Sequence, residues 1–244
     1  MPRAPCPYFA VTFSPTTLTT NTIVFKEPGY KFDDFTLVAG LGVSGFLLLQ
    51  SNNLPPKNFV ELMAYIKNNP NKVNMGTLGG GGITQMMTSR FRTLTGAQLT
   101  EVPYKGGALA INDLLAGVID LYIDALPTAV PQLAGGRIRA LGATTETRSP
   151  LIPDVPTFKE LGLPEMIGGA WFAVHASAKT PKPIVDKLQR AYETMMKSRD
   201  FQDKLTHVKV DPWTKDLNQF NEFLKQDRVL WEKDAQRSGL IGTL

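Results

Sequence analysis

The chain has 244 residues, 43% of them hydrophobic, with 26 basic and 22 acidic side chains giving a net charge of +4, enough for a sizeable core in one large or two small domains. Basic residues alternate with acids, as at Lys159-Glu160 and Glu232-Lys233-Asp234, so there is no basic block of the kind that tracks a phosphate backbone, and nucleic acid is not an expected partner. A single cysteine, Cys6, excludes an intrachain disulfide or a thiolate metal cluster, and the two histidines, His175 and His207, stand far apart and read as structural rather than as metal ligands.

The chain opens on a proline-rich stretch, MPRAPCPYF, without the charged and apolar regions of a secretory leader. The most apolar run, around Phe46 to Leu49, is far too short to cross a bilayer. Phe59, Leu62, Met63 and Ile66 fall on one helical face, Asn58 and Glu61 form a capping pair, and Pro70 stops the helix. Val73 to Thr84 then reads VNMGTLGGGGIT, a short apolar run opening into four glycines ahead of a helix. Glycines at Gly79, Gly80, Gly81 and Gly82 permit positive φ and expose main-chain N–H groups, and a helix start at Ile83 adds a positive dipole end. Such a segment reads either as an anion cradle or as a flexible loop.

The helix from Ile83 carries Met87, Phe91 and Leu94 inward and ends at Gly96; another, with Ala110, Ile111, Leu114 and Leu115, ends at Gly117. Strand-like runs at Leu99–Val102, Ile119–Ile123 and Ile138–Thr144 alternate with these helices, the pattern of a mostly parallel sheet with covering helices. Arg148 to Glu165, with Pro150, Pro153, Pro156 and Pro164, reads as an extended surface connection. After a strand at Trp171–Ala176 the chain is nearly all helix, with one stripe of Ile184, Leu188, Ala191, Tyr192 and Met195 and another of Leu217, Phe220, Leu224 and Trp231. These stripes, and Met86, Met87 and Met196, read as core packing.

No catalytic constellation is legible. The glycine run supplies neither G-x-G-x-x-G nor a P-loop lysine, Gly42-Val43-Ser44-Gly45 is one residue short of G-x-S-x-G, and H-E-x-x-H is absent. Asp113, Asp120 and Asp124 sit near element ends, where solvated or capping roles are the default. A binding protein needs only oriented donors and a cleft.

Several runs in order carry a family resemblance: Val102-Pro103-Tyr104-Lys105-Gly106, Asp113-Leu114-Leu115-Ala116-Gly117, Ile119-Asp120-Leu121, Ala134-Gly135-Gly136-Arg137-Ile138-Arg139-Ala140-Leu141, Arg148-Ser149-Pro150, Pro153-Asp154-Val155-Pro156-Thr157, and Glu160-Leu161-Gly162 ahead of Trp171-Phe172. Together they resemble the Bug, or TctC-like, solute receptors of tripartite tricarboxylate transporters, from about Ser14 to Ser238.

The resemblance implies an α/β, two-domain, periplasmic-binding-protein-like (type II) fold with crossing strands. Domain 1 would comprise 1–46 and 170–244 and domain 2 would comprise 47–169, closing on a small, dicarboxylate-like organic acid for delivery to the integral permease subunits. It implies a periplasmic location, no cofactor, no metal, no membrane span and no enzymatic chemistry. The family's serine- and threonine-rich loop falls on Thr77, Gly79, Gly80, Gly81, Gly82 and Thr84, giving hydroxyl and backbone donors. The segment Ser14-Pro15-Thr16-Thr17 matches another cleft loop, and Asp124 matches an aspartate facing the ligand, suited to amino or hydroxy groups. The family's first strand, its glycine-containing loop and the following helix and turn have no counterpart, so domain 1 is expected to be truncated and half of the anion clamp missing. A second reading follows: a homologue that has lost ligand binding and acts as an interaction or non-functional fragment.

Overall fold

The computed structural model describes residues 10–79 and 82–243, with backbone alone at 10–13. Its spine is β2 (Phe35–Ser51), a strand of 17 residues that runs through two sheet halves. Phe35 to Gly45 pairs antiparallel with β7 (Gly169–Ser177), and Gly42 and Val43 also meet β8 (Asp211–Pro212). The short β1 (Ala10–Phe13) lies antiparallel on the far side of β7. From Phe46 onward β2 changes partners to β5 (Leu121–Ala125) and β6 (Ile138–Ala143), both antiparallel to it. Beyond β5 lie β3 (Asn74–Leu78) and β4 (Thr100–Tyr104), parallel to each other and to β5.

Alternation along β2 sends its apolar residues to opposite faces. Phe46 and Leu48 join a core with Leu62 and Ile66 of α2 (Phe59–Asn68) and Met86, Met87 and Phe91 of α3 (Ile83–Thr95). Leu47 and Leu49 join another with Ala110 and Leu114 of α4 (Gly107–Ala116) and Leu126 and Ala129 of α5 (Leu126–Leu133). In the first half, Leu18, Trp171, Phe220 and Leu224 bury one face beneath α8 (Leu217–Arg237). The other face, Val38, Ala39, Val174 and Ala176, meets Leu188 and Tyr192 of α6 (Lys182–Lys197). A helical turn, Pro15–Thr20, runs into α1 (Asn21–Val24), and α7 (Arg199–His207) follows α6.

The strands change partners at a stitched crossing. Gly45 faces Gly169, and a methyl added at Gly169 would overlap the Ser44 carbonyl. Thr144, 1% exposed, ties the strands together. Its hydroxyl accepts the Phe46 N–H at 2.8 Å and donates to the Gly168 carbonyl at 2.5 Å. Its backbone bonds both neighbours as well, Phe46 at 2.9 Å and Gly168 at 3.0 Å.

The capping pair and glycine stops stand where the sequence puts them. Asn58 Oδ1 accepts the Glu61 N–H at 2.9 Å while Glu61 reaches back to the Lys57 N–H. Gly96 and Gly117 end α3 and α4 at φ 68° and 76°. The strand at Ile119–Ile123 begins two residues later than expected, because Asp120 serves as the entry staple, its carboxylate accepting the Asn74 N–H at 2.8 Å.

Candidate ligand-binding site

The parallel register of β3 and β5, with Gly76 beside Tyr122, brings the ends of both strands to one edge of the second sheet half. Thr77 and Leu78 end one, and Asp124 ends the other. Thr77 is 2% exposed, and its hydroxyl has no hydrogen-bond partner among the described residues. Thr84 is also buried, and its hydroxyl accepts the Leu78 N–H at 3.3 Å, closing the loop across the glycines.

Gly82 is the residue that opens α3. No side chain caps this helix start at Gly82, and the N–H groups and positive end of a helix start suit an anion. Positive φ, expected at these glycines, is not found at the two that are described: Gly82 is extended at φ −65° and ψ 160°, and Gly79 also lies outside the left-handed range. The helix entry itself demands extended backbone at its cap position. An added methyl would meet nothing within 4 Å at Gly79 and only ordinary contacts, 3.7 and 3.8 Å, at Gly82. The protein's own packing therefore does not require glycine at either position. What the missing side chains leave open is the main-chain surface. Gly80 and Gly81 lie outside the described residues.

Ser14 caps the turn that follows β1. Its N–H donates to the Thr17 hydroxyl at 3.0 Å, and Thr17 donates to the Ser14 carbonyl at 3.2 Å. Thr16 is half-buried, and its carbonyl accepts the Thr20 hydroxyl. The turn packs against α3 and α8, so the Ser14–Thr17 segment is brought up to the helix that the glycine run opens. Asp124 is partly buried, with Oδ1 accepting the Ala125 N–H at 2.9 Å. Burial raises its pKa, opposed by hydrogen bonds from the Thr128 hydroxyl and the Ala125 backbone. Thr128, on the first turn of α5, donates its hydroxyl to the Ala125 carbonyl at 3.0 Å, and no sequence pattern marks its place beside Asp124.

A separate hollow of about 750 Å³ lies along the crossing strands, reached by Ser44, Thr145, Arg148, Trp213, Lys215 and Phe223. None of the predicted binding residues that are described lines it. It carries both signs of charge, with Glu146 and Asp211 beside Arg148 and Lys215. Among the described residues no group of three His, Cys, Asp or Glu side chains could hold a metal ion, and no helix is long and apolar enough to cross a membrane.

Two sheet halves threaded by the long strand β2, each with helices packed on its faces, make up the architecture. The model of the TctC family, described as the tripartite tricarboxylate transporter family receptor, matches residues 3–240, and the chain belongs to that family. Among solved structures, R. palustris Rpa4515 with adipate is similar at TM-score 0.81 and 31% identity, over 94% of this chain and 77% of that one. MatC from Rhodopseudomonas palustris with bound malate is similar at TM-score 0.77 and 28% identity, over 92% and 78%. The UPF0065 protein in the TAR-I ttuE-ttuC' intergenic region of Agrobacterium vitis is 31% identical over 81% of this chain and 58% of that protein. BugT of Bordetella pertussis is 28% identical over 86% and 65%. The chain thus spans 58 to 65% of the length of these two curated relatives.

Proposed function

We propose that this chain captures a small organic acid between two lobes and presents it to the permease subunits of a tripartite transporter in the periplasm, without bond-breaking chemistry. Residues 1–46 and 170–244 form one lobe and 47–169 the other, divided where β2 changes partners after Gly45. The observation that carries the reading is the uncapped start of α3 beside Thr77, a strand-end residue whose hydroxyl has no hydrogen-bond partner among the described residues and is not closed off from solvent. One carboxylate seats there, on the Thr77 hydroxyl and the N–H groups of Gly82, Ile83 and Thr84, with Gly79 leaving the approach clear and Thr84 holding the loop in shape. Ser14 and Thr16 border the seat from the other lobe. Asp124, an acceptor, favours acids that carry a hydroxyl or amino group. The adipate and malate bound by the two similar receptors support the carboxylate class.

The test is thermal unfolding against a panel containing adipate, malate, longer dicarboxylates, tricarboxylates, aromatic acids and amino acids. A ligand at about 100 times its dissociation constant stabilises by roughly 2.7 kcal/mol, which raises the melting temperature of a chain this size by about 5–10 °C. No shift with any acid would favour the reading of a homologue that has lost binding.

A further inference from the structure

The chain's last long helix touches both lobes, and its two ends are fixed by different means. The first turns of α8 are bound to the first lobe: Phe220 and Leu224 pack with Leu18 and Trp171, and Asp227 Oδ2 accepts the indole N–H of Trp171 at 2.7 Å. The same oxygen accepts the Trp231 indole at 2.9 Å, one turn along the helix. From Trp231 onward second-lobe partners join, beside Val24 of the first lobe. Trp231 and Ala235, both fully buried, share a core with Met86, Met87 and Phe91. The Arg90 guanidinium lies over the Trp231 ring at 4.8 Å and meets Asp234 Oδ2 through Nε at 2.7 Å and Nη2 at 2.5 Å. Both side chains of that ion pair are 0% exposed. Ser238 donates to the Ser89 hydroxyl at 2.6 Å, and Arg90 Nη1 also reaches the Glu165 carbonyl at 3.4 Å.

Two lobes that part freely would meet through a wetted, polar surface. Here they meet through a dry aromatic core and a buried ion pair, and separating them would expose the apolar surface of Trp231, Met86, Met87 and Phe91 to water. We propose that α8 is a strap that holds the two lobes together along the α3 side in the acid-free protein, with Arg90 and Asp234 as its buckle. The start of α3 is then kept in fixed relation to the Ser14–Thr17 turn before any ligand arrives, and capture proceeds without the lobes separating along this edge. Arg90 and Asp234 act by positioning α3 and touch no ligand. The inference rests on the two-lobe reading above, but its acid-free measurements stand whether or not any acid binds.

Spin labels on cysteines introduced at Val60 in α2 and Lys187 in α6, both exposed, in a Cys6→Ser background, report the lobe separation. The strap predicts one narrow distance in the acid-free protein, unchanged by saturating malate or adipate. In Asp234→Asn and Arg90→Lys the acid-free distribution broadens towards longer distances while near-ultraviolet circular dichroism is retained. A broad or two-peaked distribution in the acid-free parent, or variants that keep the parent's single distance, overturns it. If both variants unfold, amide exchange of the parent decides. Protection of residues 230–238 equal to that of α3 supports the strap, and exchange there as fast as in the exposed α7 refutes it.

Discussion

Thr77 and Thr84 bracket the glycine run and play different parts. Thr84 spends its acceptor on the Leu78 N–H, so it shapes the loop, whereas the Thr77 hydroxyl has no partner among the described residues and is the donor that the proposed carboxylate would satisfy. Thr77→Val keeps the shape and removes the donor. A hydrogen bond to a charged group contributes about 1.5–3 kcal/mol, so titration calorimetry should find acid binding weakened by roughly 10- to 100-fold. Unchanged affinity would remove Thr77 from the seat. Asp124→Ala should weaken malate, which carries a hydroxyl, more than adipate, which does not; equal loss for both acids would mean that Asp124 is structural.

Two buried titratable groups set opposing trends with pH. Asp227 receives two indole N–H groups, yet burial pushes its pKa up to about 6. Burial holds the His175 imidazole down to about 4, against a hydrogen bond with the Ala173 backbone. The folded protein binds the Asp227 proton more tightly than the unfolded chain, so this group adds stability as pH falls through 6. The unfolded chain protonates histidine first, so His175 withdraws stability between about pH 6.5 and 4. The two largely offset in the parent. Asp227→Asn removes this counterweight to His175, and its melting temperature should fall more steeply than the parent's between pH 6.5 and 4. A flatter profile in the variant contradicts the assignment.

Secondary-structure elements differ in how openly the sequence announces them, and the reason is local. α2, α3 and α4 have both a 3.6-residue apolar stripe and a stop, Pro70, Gly96 or Gly117, so periodicity and turn chemistry agree. β2 has no such signal: only Phe46 to Leu49 reads as an apolar run, and Gly40, Gly42 and Gly45 read as breakers. Those glycines instead make room for neighbours distant in sequence. A methyl at Gly40 would overlap the Phe220 ring, and one at Gly42 would stand 2.6 Å from the Asp211 carbonyl oxygen. The same holds for the site. The glycine run and Asp124 are visible as residue patterns and family matches, whereas Thr144, Thr128 and the Arg90–Asp234 pair take meaning only from contacts between distant segments.

The crossing supplies a test at this level. Gly169→Ala drives a methyl into the Ser44 backbone where β2 and β7 pair, and overpacking of this kind costs about 1–3 kcal/mol. Denaturant unfolding should show that loss, while Gly79→Ala, where a methyl meets nothing, should stay within about 0.5 kcal/mol. Equal stability of the two variants would mean that the strands do not meet as closely as described.

Taken as one molecule, the protein packs the Pro15–Thr20 turn and α8 against α3, the helix with the uncapped start. The proposed seat draws on main-chain N–H groups and a hydroxyl, with no lysine or arginine among its donors, so affinity should be only weakly sensitive to salt at constant pH. Among the described residues the large hollow beside Trp213 offers the acid an alternative location, with Arg148 and Lys215 as charged donors. A crystal structure of the protein with saturating malate or adipate distinguishes the two. The account predicts a carboxylate whose oxygens lie within about 3 Å of the Thr77 hydroxyl and the N–H groups that open α3. An acid found against Trp213, Arg148 and Lys215, with the start of α3 capped by the protein's own carbonyls, would contradict it.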